Sequence, residues 1–179
     1  MIRVLFVCHG NICRSPMAEF LLKDIVRKKG LEDSFWIASA ATSTEEIGNP
    51  VHYGTRTKLA QYGIRTDGKH AVQLKPSDYD KYDYLIGMDS ANIRNMHRIL
   101  KGDPEGKIYK LLSFAGIDRD VADPWYTGDF DATFSDIMTG LSAFLKGLPE
   151  YASYFQGGTH AIAGRKPNRR IKKYGKIKL

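Results

Sequence analysis

Cys8 and Arg14 stand six residues apart in the run "VLFVCHGNICRSPMAEFLL", with Gly10 and Asn11 between them. A cysteine thiolate is a nucleophile. Arginine offers a planar fork of donors that grips two oxygens of a tetrahedral anion, a geometry lysine cannot copy. Together the two side chains suit attack on a bound oxyanion. The spacing alone is a common accident, and its placement gives it force. The apolar run Val4–Val7 leads straight into Cys8, and Ser15-Pro16 marks a helix start just beyond Arg14.

A loop between a strand end and a helix N-terminus turns several backbone N–H groups into one concavity, and the helix dipole adds positive potential there. The loop His9, Gly10, Asn11, Ile12, Cys13, Arg14 and Ser15 is therefore expected to cradle a phosphate. Gly10 is expected to supply unusual backbone angles and Asn11 to tolerate the left-handed region. Cys8 then lies at the base of the cradle, where the amides, the dipole and Arg14 stabilise negative charge on its sulfur. A thiolate facing a bound phosphate is aimed at phosphorus.

The elements that must hold this loop are legible as an alternation. Ile2–Val7 reads as a buried strand. A helix capped by Ser15 follows, with Met17, Phe20, Leu21 and Ile25 on one face and Gly30 at its end. Further strands are expected at Phe35–Ala38, Tyr82–Met88 and Lys107–Phe114. Helices are expected at Thr55–Tyr62, from Ser90, and from Phe130 to about Leu148, where Phe134, Ile137, Met138, Leu141 and Leu145 face inward. This order implies an α/β fold in three layers, a parallel sheet covered by helices on both faces. Ligands bind such sheets at the carboxyl ends of the strands, where the chain order switches, so the loop after the first strand is the natural site.

With 179 residues and 42% apolar content, the chain suits one globular domain, expected over residues 1–156. Residues 157–179 hold eight of the 27 basic residues and none of the 20 acidic ones, so the formal charge of +7 belongs to this tail. The tail reads as a flexible basic extension; contact with nucleic acid or an acidic surface is a lesser reading. The short apolar run at the N-terminus fits neither a signal peptide nor a membrane span, which points to the cytoplasm. Two cysteines within one loop do not make a secreted disulfide framework. Zinc ligation by Cys8, His9 and Cys13 lacks a fourth ligand and the usual spacing. Inert core thiols would not explain the flanking Gly, Asn and Arg. No nucleotide-binding G-x-x-x-x-G-K-[ST] occurs. No metal or cofactor is expected.

"VCHGNICRSPMAEF" resembles the active-site signature of the low-molecular-weight protein tyrosine phosphatases. The similarity extends through "IASAATSTEEIG", "YDYLIGMDSANIRNM" and "DPWYTG", over about residues 1 to 154. It implies a four-stranded parallel sheet of flavodoxin-like topology, and metal-free hydrolysis of phosphotyrosine proteins and small aryl phosphates through a phosphocysteine.

Cleavage of an aryl phosphate ester also needs an acid, because a phenolate with a pKa near ~10 leaves better when protonated. The candidate is Asp123 before Pro124, a position where Asp also commonly starts a turn; the resemblance assigns it as general acid and then base. It assigns Trp125 and Tyr126 to one wall of the crevice. Glu45 stands on the opposite wall where many relatives carry an aromatic, and His9 replaces a usually apolar residue. The resemblance further implies that Asn11, Ser15, Ser39 and His70 support the loop through hydrogen bonds, and Ser15 is also placed to donate to Cys8. Cys13 is a candidate partner for a reversible disulfide with Cys8 under oxidants, a pairing that geometry and not sequence decides. Two alternatives remain. Arsenate reduction on the same fold would require further thiols. A non-catalytic phosphate-binding module would predict a broken catalytic set, whereas Cys8, Arg14 and Asp123 are all present.

Overall fold

Strand β1 (Ile2–Cys8) sorts the core by its alternation: Ile2, Val4, Phe6 and Cys8 fall in one buried cluster, Leu5 and Val7 in another. The structure, a computed structural model, describes residues 1–155; the basic tail expected from residue 157 lies outside them. The other strands are β2 (Phe35–Ala41), β3 (Tyr84–Gly87) and β4 (Ile108–Lys110). They line up in the order β2-β1-β3-β4, every pair parallel. This is the flavodoxin-like order, and its switch point lies between β1 and β3. Cys8, paired with Ala41 at the carboxyl end of the sheet, stands at that point.

Helices α1 (Arg14–Lys28) and α6 (Phe130–Lys146) cover one face and meet the first cluster through Met17, Leu21, Leu22, Ile137, Leu141 and Leu145. Helix α2 (Tyr53–Ala60) contributes Leu59 to the same layer. Helix α4 (Ser90–Leu100) covers the other face with Met96 and Leu100, joined by Tyr79 of the short α3 (Asp78–Lys81). Two further short helices, α5 (Pro124–Thr127) and α7 (Ala152–Phe155), complete the described chain.

Several boundaries differ from the sequence expectation, each for a local reason. Helix α1 begins at Arg14 with Cys13 before it and no side-chain cap; Ser15 lies inside the first turn with its hydroxyl facing Cys8. A cap would have consumed donors that an anion needs. Helix α2 starts two residues early because the His52 ring accepts the Gly54 N–H at 3.1 Å. Strand β4 is short: Leu111 and Leu112 both pack into the first cluster, whereas successive strand residues would face opposite sides of the sheet, and residues Leu111–Ala115 wind into a 3-10 turn.

Candidate active site

The loop from Cys8 to Arg14 is held by its carbonyls. Cys8 O accepts from Thr42 N at 2.9 Å, His9 O from Ser43 N at 3.0 Å, Ile12 O from His52 N at 2.9 Å and Cys13 O from Met17 N at 3.1 Å. In a trans peptide the C=O and the next N–H point opposite ways. Carbonyls bonded outward to the frame therefore turn the N–H groups of His9, Gly10, Cys13 and Arg14 toward the inside of the loop. Asn11 has φ 58°, the left-handed conformation expected of it. Its N–H points at Cys8 Sγ, 3.3 Å away. Gly10 does not take a positive φ; a Cβ there would lie 3.0 Å from Glu46 Cγ, so close approach is what its small size permits.

Cys8 is buried, with Sγ 3.0 Å from Ser15 Oγ. Behind it runs a polar chain. Asn11 Nδ2 donates to Ser15 Oγ at 2.9 Å and to Ser39 Oγ at 2.8 Å, and Asn11 Oδ1 accepts from Val72 N at 3.1 Å. Ser39 Oγ donates to Glu19 Oε2 at 2.5 Å. His70 does not join this network. Its ring is exposed and bonded to Gly68 O at 3.2 Å; the neighbouring Lys69 enters instead, with Nζ 3.1 Å from Glu19 Oε2 and 3.0 Å from Ser39 O.

Arg14, only 4% exposed, is fixed by two carboxylates: Asp89 Oδ2 on one terminal nitrogen at 2.7 Å and Asp123 Oδ2 on the other at 2.6 Å. Burial alone would lower its pKa, but the charges of Cys8, Asp123 and Asp89 outweigh that and hold it above its ordinary value. Burial pushes the Cys13 thiol up to about 12, with the nearby charges of Cys8 and Asp123 acting in the same direction. Cys13 is thus a neutral thiol at physiological pH, while its loop neighbour faces Arg14.

The cleft above Cys8 has a volume of about 130 Å³. Trp125 and Tyr126, 60% and 84% exposed, rise on one side. His9, Glu45 and Glu46 stand around the rest, with His9 Nε2 3.0 Å from Glu45 Oε2. Trp125 is backed by the His52 ring, edge-on at 6.2 Å, which itself stacks on Phe130 at 5.5 Å. Asp123 caps the short α5 through Trp125 N at 3.1 Å, so its carboxylate and the aromatic wall belong to one local element.

The sequence profile described as "Low molecular weight phosphotyrosine protein phosphatase" matches residues 3–153. The chain belongs to that family. YfkJ of Bacillus subtilis, named a low molecular weight protein-tyrosine-phosphatase, is 42% identical over 150 residues, 83% of this chain and 96% of its own. Its crystal structure superposes with a TM-score of 0.80, covering 84% of this chain and 96% of that one. SP-PTP, the low molecular weight protein tyrosine phosphatase of Streptococcus pyogenes, gives 0.77 at 42% identity over 87% of this chain and all of its own. DARP, an arginine phosphatase of Drosophila, gives 0.75 at 31% identity, covering 83% and 98%. The chain is therefore a protein-tyrosine-phosphatase by family, a hydrolase of phosphoric monoesters.

Four contributors to this phosphatase site escaped the sequence reading. Asp89 grips Arg14 while capping α4, where its carboxylate accepts from Asn92 N at 2.6 Å; the "MDSAN" start of that helix was the available signal. Glu19 is an acid on the buried face of α1 between Ala18 and Leu21, a mismatch visible in the helical pattern. Glu46 shares the rim with Glu45. Lys69 carried no local signal. Among the described residues no three His, Cys, Asp or Glu side chains gather closely enough to hold a metal ion.

Proposed function

We propose that this phosphatase hydrolyses phosphotyrosine in proteins and small aryl phosphates through a phosphocysteine on Cys8, with no metal ion in the reaction. One observation carries the reading. The Cys8 sulfur lies at the floor of an inward-facing N–H loop, and Arg14 links that loop directly to the carboxyl group of Asp123.

In the first step Cys8 Sγ attacks phosphorus in line, the S–P bond forms, and the bond from phosphorus to the aryl oxygen breaks. The loop amides and Arg14 hold the equatorial oxygens as charge shifts onto them. Arg14 supplies the fixed positive charge that a metal ion would otherwise provide. Asp123, in its acid form, gives its proton to the departing oxygen. In the second step Asp123 takes a proton from water, the water oxygen attacks phosphorus, and the S–P bond breaks with its electrons returning to Cys8, where the Ser15 hydroxyl meets the thiolate. A ring seated against Trp125 and Tyr126 would place its ester oxygen beside Asp123. A cytoplasmic setting suits a mechanism that needs a reduced thiol.

The test is steady-state hydrolysis of phosphotyrosine and an aryl phosphate in chelator, with Cys8→Ser and Asp123→Ala beside the native chain. Turnover that persists in chelator, vanishes in Cys8→Ser and drops steeply on phosphotyrosine in Asp123→Ala supports the reading. Dependence on an added metal overturns it. Phosphoarginine belongs in the same assay as a comparison substrate, because the Drosophila neighbour is an arginine phosphatase. Arsenate reduction is disfavoured by the sequence, which holds only Cys8 and Cys13 and so lacks a third thiol to relay the oxidation.

A further inference from the structure

We propose that Glu19 and Lys69 are positioning residues of this reaction: paired behind the loop, they hold the Asn11 carboxamide in the orientation that directs the Ser15 hydroxyl proton at Cys8 Sγ. The proposal rests on the reading of Cys8 as nucleophile.

The sense of every hydrogen bond follows from the two ends of the chain. Val72 N–H can only donate, and it meets Asn11 Oδ1 at 3.1 Å, which fixes the oxygen end of the carboxamide. Both Nδ2 protons are then spoken for, at Ser39 Oγ and Ser15 Oγ. Each hydroxyl is an acceptor there and must send its own proton elsewhere. Ser39 sends it to Glu19, whose ionised carboxylate can only accept. Ser15 has two acceptors in reach, Cys8 Sγ at 3.0 Å and Ala40 O at 3.5 Å, and the nearer is the sulfur. No proton in the chain is left without a destination.

Glu19 and Lys69 anchor both ends of that assignment. Glu19 is 3% exposed on a face of α1 otherwise given to Met17, Ala18, Leu21 and Leu22. Its charge is compensated by Lys69 Nζ at 3.1 Å and Lys23 Nζ at 2.5 Å. Lys69 also donates to Ser39 O at 3.0 Å, so it ties α1 and β2 to the segment that follows it. That segment brings Val72 to Asn11 and is laid against β2 by Ala41 N to Val72 O and Leu74 N to Ala41 O, both 2.8 Å. A buried ion pair adds little net stability on average, because desolvation offsets its attraction. At this place it orients donors around the nucleophile.

The experiment is the rate of Cys8 alkylation by iodoacetamide from pH 5 to 9, which needs no turnover, together with kcat and KM on an aryl phosphate. The variants are Glu19→Gln, Lys69→Met and Lys69→Arg, the last keeping the charge and the reach. Arg14, Asp123 and Cys13 face the sulfur from the loop and α5, and stay unchanged in every variant. Glu19→Gln and Lys69→Met are expected to move the alkylation profile to higher pH, with a rate about tenfold lower on its acidic limb, and to lower kcat about tenfold with KM within twofold. Lys69→Arg is expected to restore both. Removing the Glu19 charge while Lys69 remains would, by charge alone, favour the thiolate and speed alkylation. A faster or unmoved profile in a folded Glu19→Gln protein overturns the proposal. If Glu19→Gln does not fold, an unmoved profile in Lys69→Met does the same. A native protein that alkylates normally but does not turn over would instead refute the proposed function and leave this test intact.

Discussion

In the proposed reaction Asp123 plays two parts that one substitution separates. In the structure its carboxylate takes the second terminal nitrogen of Arg14 at 2.6 Å, so a phosphate arriving on that guanidinium must displace it. Asp123→Asn removes the charge but keeps the size, and the amide oxygen can still cap Trp125 N, which Asp123 reaches at 3.1 Å. Arg14 stays oriented by Asp89 at 2.7 Å. A charge-assisted hydrogen bond contributes about 1.5–3 kcal/mol and a neutral one about 1 kcal/mol. The Asp123 side chain is 23% exposed, so water recovers part of the loss and the lower end applies. The difference of about 0.5 kcal/mol corresponds to roughly twofold tighter binding. Isothermal titration with inorganic phosphate at low salt reads this without any chemistry. The same variant should lose about 10²–10⁴ in kcat on phosphotyrosine, because the proton donor is gone. Tighter product binding with a crippled rate is the expected pair. Phosphate affinity that is unchanged or weaker would refute the competition between Asp123 and phosphate for Arg14.

Burial of Cys13 also has a pH signature. Its thiol titrates near 12 in the fold against an ordinary value of 9.0, so the folded state binds that proton more tightly than the unfolded state does. The contribution is present below about pH 9 and lost as pH rises toward 12. Tyr79, pushed up to about 12 by burial and by its hydrogen bond to Asp103, adds to the same slope. Urea midpoints from pH 8 to 11 should fall less steeply in Cys13→Ala than in the native chain; parallel curves would contradict this. Gly54 is small because a Cβ there would sit 2.3 Å from the Phe130 ring. Gly54→Ala should lower unfolding free energy by about 1–3 kcal/mol despite the better helix propensity of Ala, as read from denaturant midpoints. At the rim, Glu45→Gln should reduce the preference for phosphopeptides with basic flanks about threefold at low salt and leave small aryl phosphates unaffected; equal kcat/KM ratios across a peptide panel in both proteins would reject the role.

Much of this phosphatase was legible because its information is local. The run from Val4 through Cys8 to Pro16 states a strand, a turn and a helix in consecutive residues, and the backbone chemistry of Asn11 follows from its type. The parallel sheet followed from the alternation of elements, since a crossover helix between strands leaves few other arrangements. Cys8 and Arg14 were visible because one loop carries both. Asp123 was visible only with the family resemblance beside it, since Asp before Pro is also an ordinary turn.

The sequence by itself determined the sheet and the strand-loop-helix that carries the proposed nucleophile and anion cradle, because each depends on residues within one turn of chain or on a periodic pattern. Only the tertiary structure decided which distant side chains complete them. Asp89 and Asp123 converge on one guanidinium from separate loops, and Lys69 rather than its neighbour His70 reaches Glu19. Those choices turn on a rotation of one residue in an irregular segment, where no period of two or 3.6 constrains which side chain faces inward. They are set by the backbone bonds that pin residues 71–74 against Asn49 and Ala41, contacts that exist only once the strands have been brought together.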